Sequence, residues 1–418
     1  MLPHRPLTAT ALVFQAHDLP TSTATEQVVV AVDHCLLWVR EMDALPYPDY
    51  SDYFNDLNGS SASSGVIPTL LFETSRGCWW GAKQHCTFCG LNGETMPFRA
   101  KSADRVLAEI ERQVARHGIK HFQAVDNIIS HDYFKSLLPI LKERALGVTF
   151  FYEIKSNLRR DQVKLLREAG VLAVQPGIES LSSHVLSLMK KGVTGIQNMA
   201  LLKWCREYGI EAAWNLLYGF PGETGEDYDA SARYASAIPH LRPPGAVAPI
   251  RLDRFSPNFN RAEDFGIVNI RPFALYRYIY PLPPESIANL AYFFEYEHRD
   301  GRKPETYLTN MMEQVKVWKE NAGGDLRKRY NHQAELMVVD TRPGRPQMMY
   351  PFNGIQREIY DYCDEIRSRN AISEFARRKA ETQDGLDEAL DVFLEQMENW
   401  QLMVREGSQY LSVAVHTA

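Results

Sequence analysis

Three cysteines fall within twelve residues of the run FETSRGCWWGAKQHCTFCGLNG: Cys78, seven residues, Cys86, two residues, then Cys89. Thiolates are ligands for soft metals, so their number and spacing carry chemistry. A structural zinc ion closes its tetrahedron with four protein ligands, whereas an iron–sulfur centre held by three cysteines leaves one iron open to a substrate or cofactor. His85 can supply a fourth ligand, so spacing alone leaves zinc, an iron–sulfur centre and three unliganded thiols open. Cys35, Cys205 and Cys363 are solitary. They read as small buried apolar groups, with a radical relay or a soft-metal ligand as the alternative. Six cysteines in 418 residues are too few for a disulfide scaffold.

The elements that must position the cluster of thiols are legible as alternation. From Ile67 to about residue 256 the runs TLLFETS, HFQAVDN, VTFFYEI, VLAVQPG, EAAWNLLYG and IRLDRFS are nearly continuous in apolar residues. That is the form of parallel strands buried on both faces. Helical stripes lie between them: Ser102 caps a helix with Val106, Ile110 and Val114 on one face and Gly118 at its end, and Leu181, Val185, Leu188 and Met189 form another. Six βα units imply a barrel, and residues after barrel strands converge at the face where active sites are built. The cysteine loop follows the first strand.

A three-cysteine loop in that place resembles the radical S-adenosylmethionine (SAM) superfamily, whose aromatic residue just before the last cysteine lies near the adenine; Phe88 stands there. The first gap, seven residues where the common pattern has three, points to a narrower family. TSRGCWWGAKQHCTFCGLNG, AVDNIIS, FFYEIKSNL, VQPGIESLS, LMKKGVT, WNLLYGFPGET and IRLDRFSP run in order between about residues 45 and 300, and the chain ends in YLSVAV. Together they resemble the radical SAM maturases of ribosomally made peptides (RiPP), many of them cobalamin-dependent C-methyltransferases. The resemblance implies a [4Fe-4S] cluster on Cys78, Cys86 and Cys89, SAM chelating the open iron, and reductive cleavage of a carbon–sulfur bond. Cobalamin-dependent members carry a Rossmann-like domain before the barrel; about 65 residues precede it here, so a cobalamin-free relative is expected. The C-x7-C-x2-C loop also resembles that of the radical SAM proteins of arsinothricin biosynthesis. This implies a transferase that moves the 3-amino-3-carboxypropyl group of SAM to trivalent arsenic, forming a C–As bond in an antibiotic. The alternatives are a precursor-peptide maturase, by hydrogen abstraction or C-methylation, and a zinc-stabilised binding protein.

Within that resemblance, polar residues at strand ends are the candidates to hold SAM. Asp126 and Asn127 close the second strand and bind the methionyl amino group or substrate, or cap the next helix. Glu153 and Lys155 are two apart at the end of the third, sharing a face, and contact SAM or pair with each other. Glu179 and Ser180 can hydrogen-bond a ribose or carboxylate, with a helix cap as the plainer reading, and Gly177 permits close backbone approach. The glycines and Pro221 of YGFPGET form a tight turn before a helix. Arg251 and Asp253 would share a face of the sixth strand, lining the cavity or bridging each other.

The expected fold is α/β, a partial (β/α)6 TIM-like radical SAM barrel with a small C-terminal winged-helix-like domain. Residues 1–65 read as an N-terminal extension and linker, 66–300 as the barrel, 301–351 as a connecting helix and hairpin, and 352–418 as the winged-helix-like unit. The aromatic segments RPFALYRYIYPL and NLAYFFEYEH pack over the barrel side. With 46 Lys plus Arg against 52 Asp plus Glu, and seven against thirteen from Phe352 onward, nucleic acid is not an expected partner. Leader-peptide binding by strand addition remains open. No apolar run reaches the roughly 18 to 20 residues of a membrane span, and the start has no secretory signal pattern, so a cytoplasmic enzyme is expected. Its partners would be arsenite or a precursor peptide, and an electron donor such as flavodoxin or ferredoxin.

Overall fold

The computed structural model describes residues 39–61, 65–93, 96–320, 324–333, 335–380, 382 and 384–416. The apolar segment around Cys35 lies outside them. Of two compact units, Met1–Arg40 and Glu41–Ala418, the second holds all the described helices and strands.

Its centre is a parallel sheet in the order β1 (Leu70–Phe72), β2 (His121–Ala124), β3 (Thr149–Ile154), β4 (Val171–Pro176) and β5 (Glu211–Ala212). β6 (Leu216–Tyr218) pairs in parallel with β7 (Val247–Pro249), and a parallel bridge between Glu179 and Leu216 joins this pair to the end of β4. EAAWNLLYG therefore supplies one strand position in two pieces, and six parallel positions follow one another around an open barrel.

The sixth position is not IRLDRFS. The parallel strand ends at Pro249; within IRLDRFS only β8 (Leu252–Asp253) is extended, and it joins an antiparallel sheet with β10 (Phe293–His298) at the centre and β9 (Ile267–Pro272) on the far side. Arg251 falls in the gap between the two sheets, outside any strand, yet it lines a cavity together with Asp253, 3.6 Å away, as alternation leads one to expect.

The helices follow the stripes. α1 (Ala103–His117) starts where the Ser102 hydroxyl accepts from the Arg105 amide and stops at Gly118, whose φ of +70° suits glycine. It buries Val106, Leu107 and Ile110, with Val114 only partly covered. α2 (Ser183–Leu188) buries Val185 and Leu186, flanked by buried Leu181 and Met189; Leu188 is half-exposed. α3 (Gly195–Tyr208) opens on a Thr194/Gln197 capping box and is buried over most of its length. The expected linker contains a helix, Ser51–Gly59, and the preceding segment is tied to α1 by a Gln113 side-chain bond to the Pro48 carbonyl at 2.7 Å. α4 (Gly225–Ala237) follows the YGFPGET turn, and α5 (Thr309–Glu320) packs against it.

β11 (Leu326–Tyr330), β12 (Leu336–Asp340) and β13 (Met348–Phe352) form an antiparallel meander. Beyond it come α6 (Gly354–Tyr362), β14 (Arg367–Ser368), α7 (Arg369–Lys379), α8 (Leu386–Asn399), β15 (Met403–Glu406) and β16 (Gln409–Ser412), with β14, β16 and β15 in one sheet. That helix, strand, two helices and hairpin are the winged-helix order. β17 (Val415–His416) then pairs with β11, so the last residues complete the meander. Among the described residues no helix is long and apolar enough to cross a membrane.

A buried ionic knot joins the C-terminal unit to the barrel. Lys203 on α3 reaches Asp364 at 2.5 Å and the Ser412 carbonyl at 2.7 Å, Lys328 reaches Asp364 at 2.8 Å, and Arg160 takes its other oxygen at 2.6 Å. Burial works against the Asp364 carboxylate, but Lys203, Lys328 and Arg160 together hold its pKa well below the usual carboxylate range. Removing it leaves buried Lys203 with a carbonyl and a hydroxyl of Ser412 in place of a carboxylate, while Lys328 keeps Asp361 at 3.2 Å. Asp364→Ala is expected to cost about 3–5 kcal/mol of stability in urea unfolding; a loss within about 0.5 kcal/mol, normal for a surface site, contradicts this role.

Candidate active site

A cavity of about 760 Å³ opens at the C-terminal ends of the parallel strands. All three clustered cysteines line it, with Trp80, Phe88, Asn127, Glu153, Lys155, Glu179, Lys191 and Arg251.

The cysteine loop is pinned by its backbone. Gly77, at φ +79°, precedes the first cysteine, and a Cβ there would come within 2.4 Å of the Pro97 carbonyl oxygen, so only glycine fits. The Cys78 amide donates to the Met96 carbonyl at 3.2 Å, and its sulfur accepts from the Gly81 amide at 3.3 Å, capping the short helix Trp79–Lys83. Between the other two cysteines, buried Thr87 donates its amide to Met189 and accepts the Asn258 amide, tying the loop to α2 and to the segment after β8. His85 places Nε2 2.7 Å from the Cys89 carbonyl oxygen. Its ring is engaged with backbone, and among the described residues no group of three or more His, Cys, Asp and Glu side chains is placed to hold a single metal ion.

Burial pushes the Cys86 thiol up and the Cys89 thiol up to about 12; Lys191 works in the opposite direction on both, and Lys155 on Cys86. Such thiols ionise when a metal displaces the proton. Three sulfur donors, two nearby cations and a histidine committed elsewhere fit a metal group that uses three cysteines and keeps one coordination position open.

The cations are fixed. Lys155, buried at the end of β3, donates to the carbonyls of Lys191 at 2.8 Å and Gly192 at 3.2 Å, with its ammonium 4.2 Å from the centre of the Trp80 ring. Burial, with Lys191 adding to it, lowers its pKa to about 8. Lys191 bonds the Glu179 carboxylate at 3.1 Å. Burial opposes its charge, but Glu179 and Cys86 keep its pKa above the ordinary lysine value. Glu179 sits at φ +58°, unusual for a residue with a side chain; the Leu217 amide on its carbonyl at 2.8 Å and Lys191 on its carboxylate hold it there. Gly177 leaves room for this contact, since a Cβ would lie 2.6 Å from Lys191 Nζ.

Residues 72–235 match the radical SAM superfamily. The chain carries a radical SAM domain. Over 204 residues it is 26% identical to an uncharacterized methyltransferase of Pyrococcus horikoshii, covering 48% of this chain and 43% of that protein. Over 172 residues it is 24% identical to the ribosomal protein uS12 methylthiotransferase RimO of Parabacteroides distasonis, covering 38% and 40%. The chain thus spans less than half the length of the curated relatives it matches. A structure of the radical SAM methyltransferase TsrM from Kitasatospora setae, with cobalamin and a [4Fe-4S] cluster bound, aligns at a TM-score of 0.45 and 19% identity over 59% of this chain and 52% of that one.

The cofactors of a radical SAM domain are a [4Fe-4S] cluster and SAM, and Cys78, Cys86 and Cys89 are the residues here that fit the cluster. The structure brings Phe88, Asn127, Glu153, Lys155, Glu179 and Arg251 to the same cavity. Phe88 meets Phe220 edge-on at 5.7 Å and lies 5.6 Å from the Lys191 ammonium. Asn127 donates to the Asn92 side chain at 2.8 Å. Glu153 and Lys155 do not pair as their spacing suggested, because Lys155 turns to carbonyls. Asp126 and Ser180 do not line the radical SAM cavity. Ser180 is buried and accepts from the Ser182 amide at 3.0 Å, closing the turn before α2. The YGFPGET turn is likewise held from within: buried Glu223 accepts from the amides of Gly219 and Phe220 and from the hydroxyls of Tyr228 and Tyr307. Cys205 and Cys363 are buried outside the cavity. Trp80 and Lys191 are the site residues that the sequence reading left without a role; their signal was adjacency, Trp80 inside the cysteine loop and Lys191 in LMKKGVT.

Asp126 is a clasp between β1 and β2. It accepts from the Thr74 amide at 2.7 Å, the Thr74 hydroxyl and the Ser75 hydroxyl at 2.7 Å, and burial raises its pKa from 3.8 to about 6 against those bonds. A carboxyl raised on folding stabilises most below about pH 4, and that contribution is lost as pH rises through about 6. Asp126→Asn, with one acceptor for three donors, is expected to cost about 1–3 kcal/mol at pH 4.5. The gap to the unmodified protein should narrow by pH 7; urea unfolding at both pH values checks it, and a widening gap contradicts the assignment.

Proposed function

We propose that the protein is a cytoplasmic radical SAM transferase that moves the 3-amino-3-carboxypropyl group of SAM to trivalent arsenic. The observation that carries the radical SAM part is the meeting of Cys78, Cys86 and Cys89 with two lysines and two carboxylates in one cavity. Cys78, Cys86 and Cys89 would hold the cluster, which would supply the electron for reductive cleavage of a carbon–sulfur bond of SAM. Lys155 and Lys191 bring positive charge to the carboxylate of SAM, Glu153 and Glu179 offer acceptors to its ammonium, and Phe88 gives the adenine an apolar wall. Pinned to carbonyls and to Glu179, both lysines are oriented before SAM arrives. The arsenic acceptor is supported by the C-x7-C-x2-C loop and its resemblance to arsinothricin biosynthesis proteins. Neither Cys205 nor Cys363 faces the cavity, so among the described residues the acceptor finds no thiolates beyond the three of the loop. The electron comes from a protein such as flavodoxin or ferredoxin.

A second reading, modification of an organic acceptor such as a precursor peptide, is favoured by one observation: a larger aromatic-lined cavity of about 1200 Å³ adjoins the first. The nucleoside product separates the two. Anaerobically reconstituted protein with SAM and a strong reductant is expected to give 5′-methylthioadenosine, rising with arsenite. 5′-Deoxyadenosine alone, indifferent to arsenite, contradicts the arsenic reading and leaves hydrogen abstraction from an organic substrate.

A further inference from the structure

The two cavities share a wall of Pro249, Ile250, Arg251 and Phe293. The outer one is bounded by β9, β10 and the segment between them, where Phe273, Leu275, Ile279 and Tyr280 expose 41%, 54%, 64% and 39% of their surface. Large apolar side chains gathered in water around a concave surface mark a place where something apolar binds.

Arg251 is the charged residue at the neck. Its guanidinium lies over the Phe293 ring, 4.2 Å from the ring centre, and its side chain is 66% exposed. Its ionic partner is Asp253 at 3.6 Å, longer than a hydrogen bond. The other arginines of the outer cavity are committed: Arg271 to Glu295 and Glu297, and Arg302 to Asp300 and to two carbonyls. A stacked guanidinium with free donors between an apolar groove and a reaction cavity has the geometry to grip a carboxylate with both prongs of its fork.

We propose that the outer cavity is the acceptor site for a small organic carboxylate with an aromatic or aliphatic body. The body lies against Phe273, Leu275, Ile279 and Tyr280, the carboxylate meets Arg251, and the reacting end passes Phe293 toward the cysteines. Arg251, expected from the sequence to hold SAM, thereby belongs to the acceptor. This deepens the second reading above, an organic acceptor, in place of arsenic, and rests on the cysteine cavity being the reaction site.

The test is calorimetric titration of anaerobically reconstituted protein with 3-phenylpropionate and with its neutral analogue 3-phenylpropan-1-ol. The carboxylate is expected to bind saturably. Arg251→Gln should weaken it about tenfold or more while leaving the alcohol unchanged. Tyr280→Ala should weaken both ligands several-fold. Both side chains reach solvent, and melting curves confirm that the variants fold. No saturable binding of either compound, or carboxylate affinity indifferent to Arg251→Gln, overturns the proposal. Absorbance near 400 nm, read on the same samples, reports the cluster separately: its absence would refute the cysteine assignment, while the titrations still decide the groove.

Discussion

Buried thiols resist ionisation, yet a metal-binding loop needs them as thiolates. Cys86 and Cys89 lie where burial drives their pKa upward, and Lys155 and Lys191 are the cations set against that penalty. Much of the barrel's C-terminal face is arranged around those lysines. Lys155 projects from the end of β3 and is fixed by the carbonyls of Lys191 and Gly192; Lys191 is fixed by Glu179; and Glu179 is held in a left-handed conformation by pairing with β6. Gly192 must be glycine, because at its φ of +64° a Cβ would lie 2.2 Å from the Trp80 ring that covers Lys155. Three successive barrel strands thus converge on one electrostatic task.

Asp126 and Glu223 spend their carboxylates on backbone amides and hydroxyls, the first clasping the ends of β1 and β2 and the second closing the turn after β6. Of the residues that face the cavity, Lys155 holds the Lys191–Gly192 turn and Asn127 the cysteine loop through Asn92. Far from the cavity, the knot of Lys203, Lys328, Arg160 and Asp364 fastens the winged-helix-like unit to α3. A buried charge set of this kind specifies one docking arrangement, since any other would leave a lysine unpaired in the core.

Periodicity made the barrel legible. Apolar runs located β1 to β6 to within a few residues, although burial alternates along β1, β2 and β3 where two buried faces were expected, and the capping signals at Ser102 and Gly118 bounded α1. The sixth strand was missed because Ile250, Leu252 and Phe255 in IRLDRFS resemble strand spacing while Val247–Pro249 is only three residues long, and nothing local tells a parallel strand from a two-residue antiparallel one. At the site, the cysteine spacing marked the loop that the structure brings to the cavity, whereas the partners of Asp126 and Lys155 lie 36 to 52 residues away and could not be read from neighbouring positions. Strand-end polarity therefore selected the right region but not which of its residues face the cavity. Lys191 shows the converse: it comes from a loop after α2, with no strand pattern to mark it.

The central claim is that Cys78, Cys86 and Cys89 bind a [4Fe-4S] cluster with a position open to SAM. It is tested most directly by iron and sulfide analysis of anaerobically purified protein, with electron paramagnetic resonance spectra of the reduced sample before and after SAM is added. About four irons and four sulfides per chain, and a spectrum that changes when SAM is added, are the predicted result. Stoichiometric zinc in place of iron, or a cluster spectrum indifferent to SAM, would contradict it.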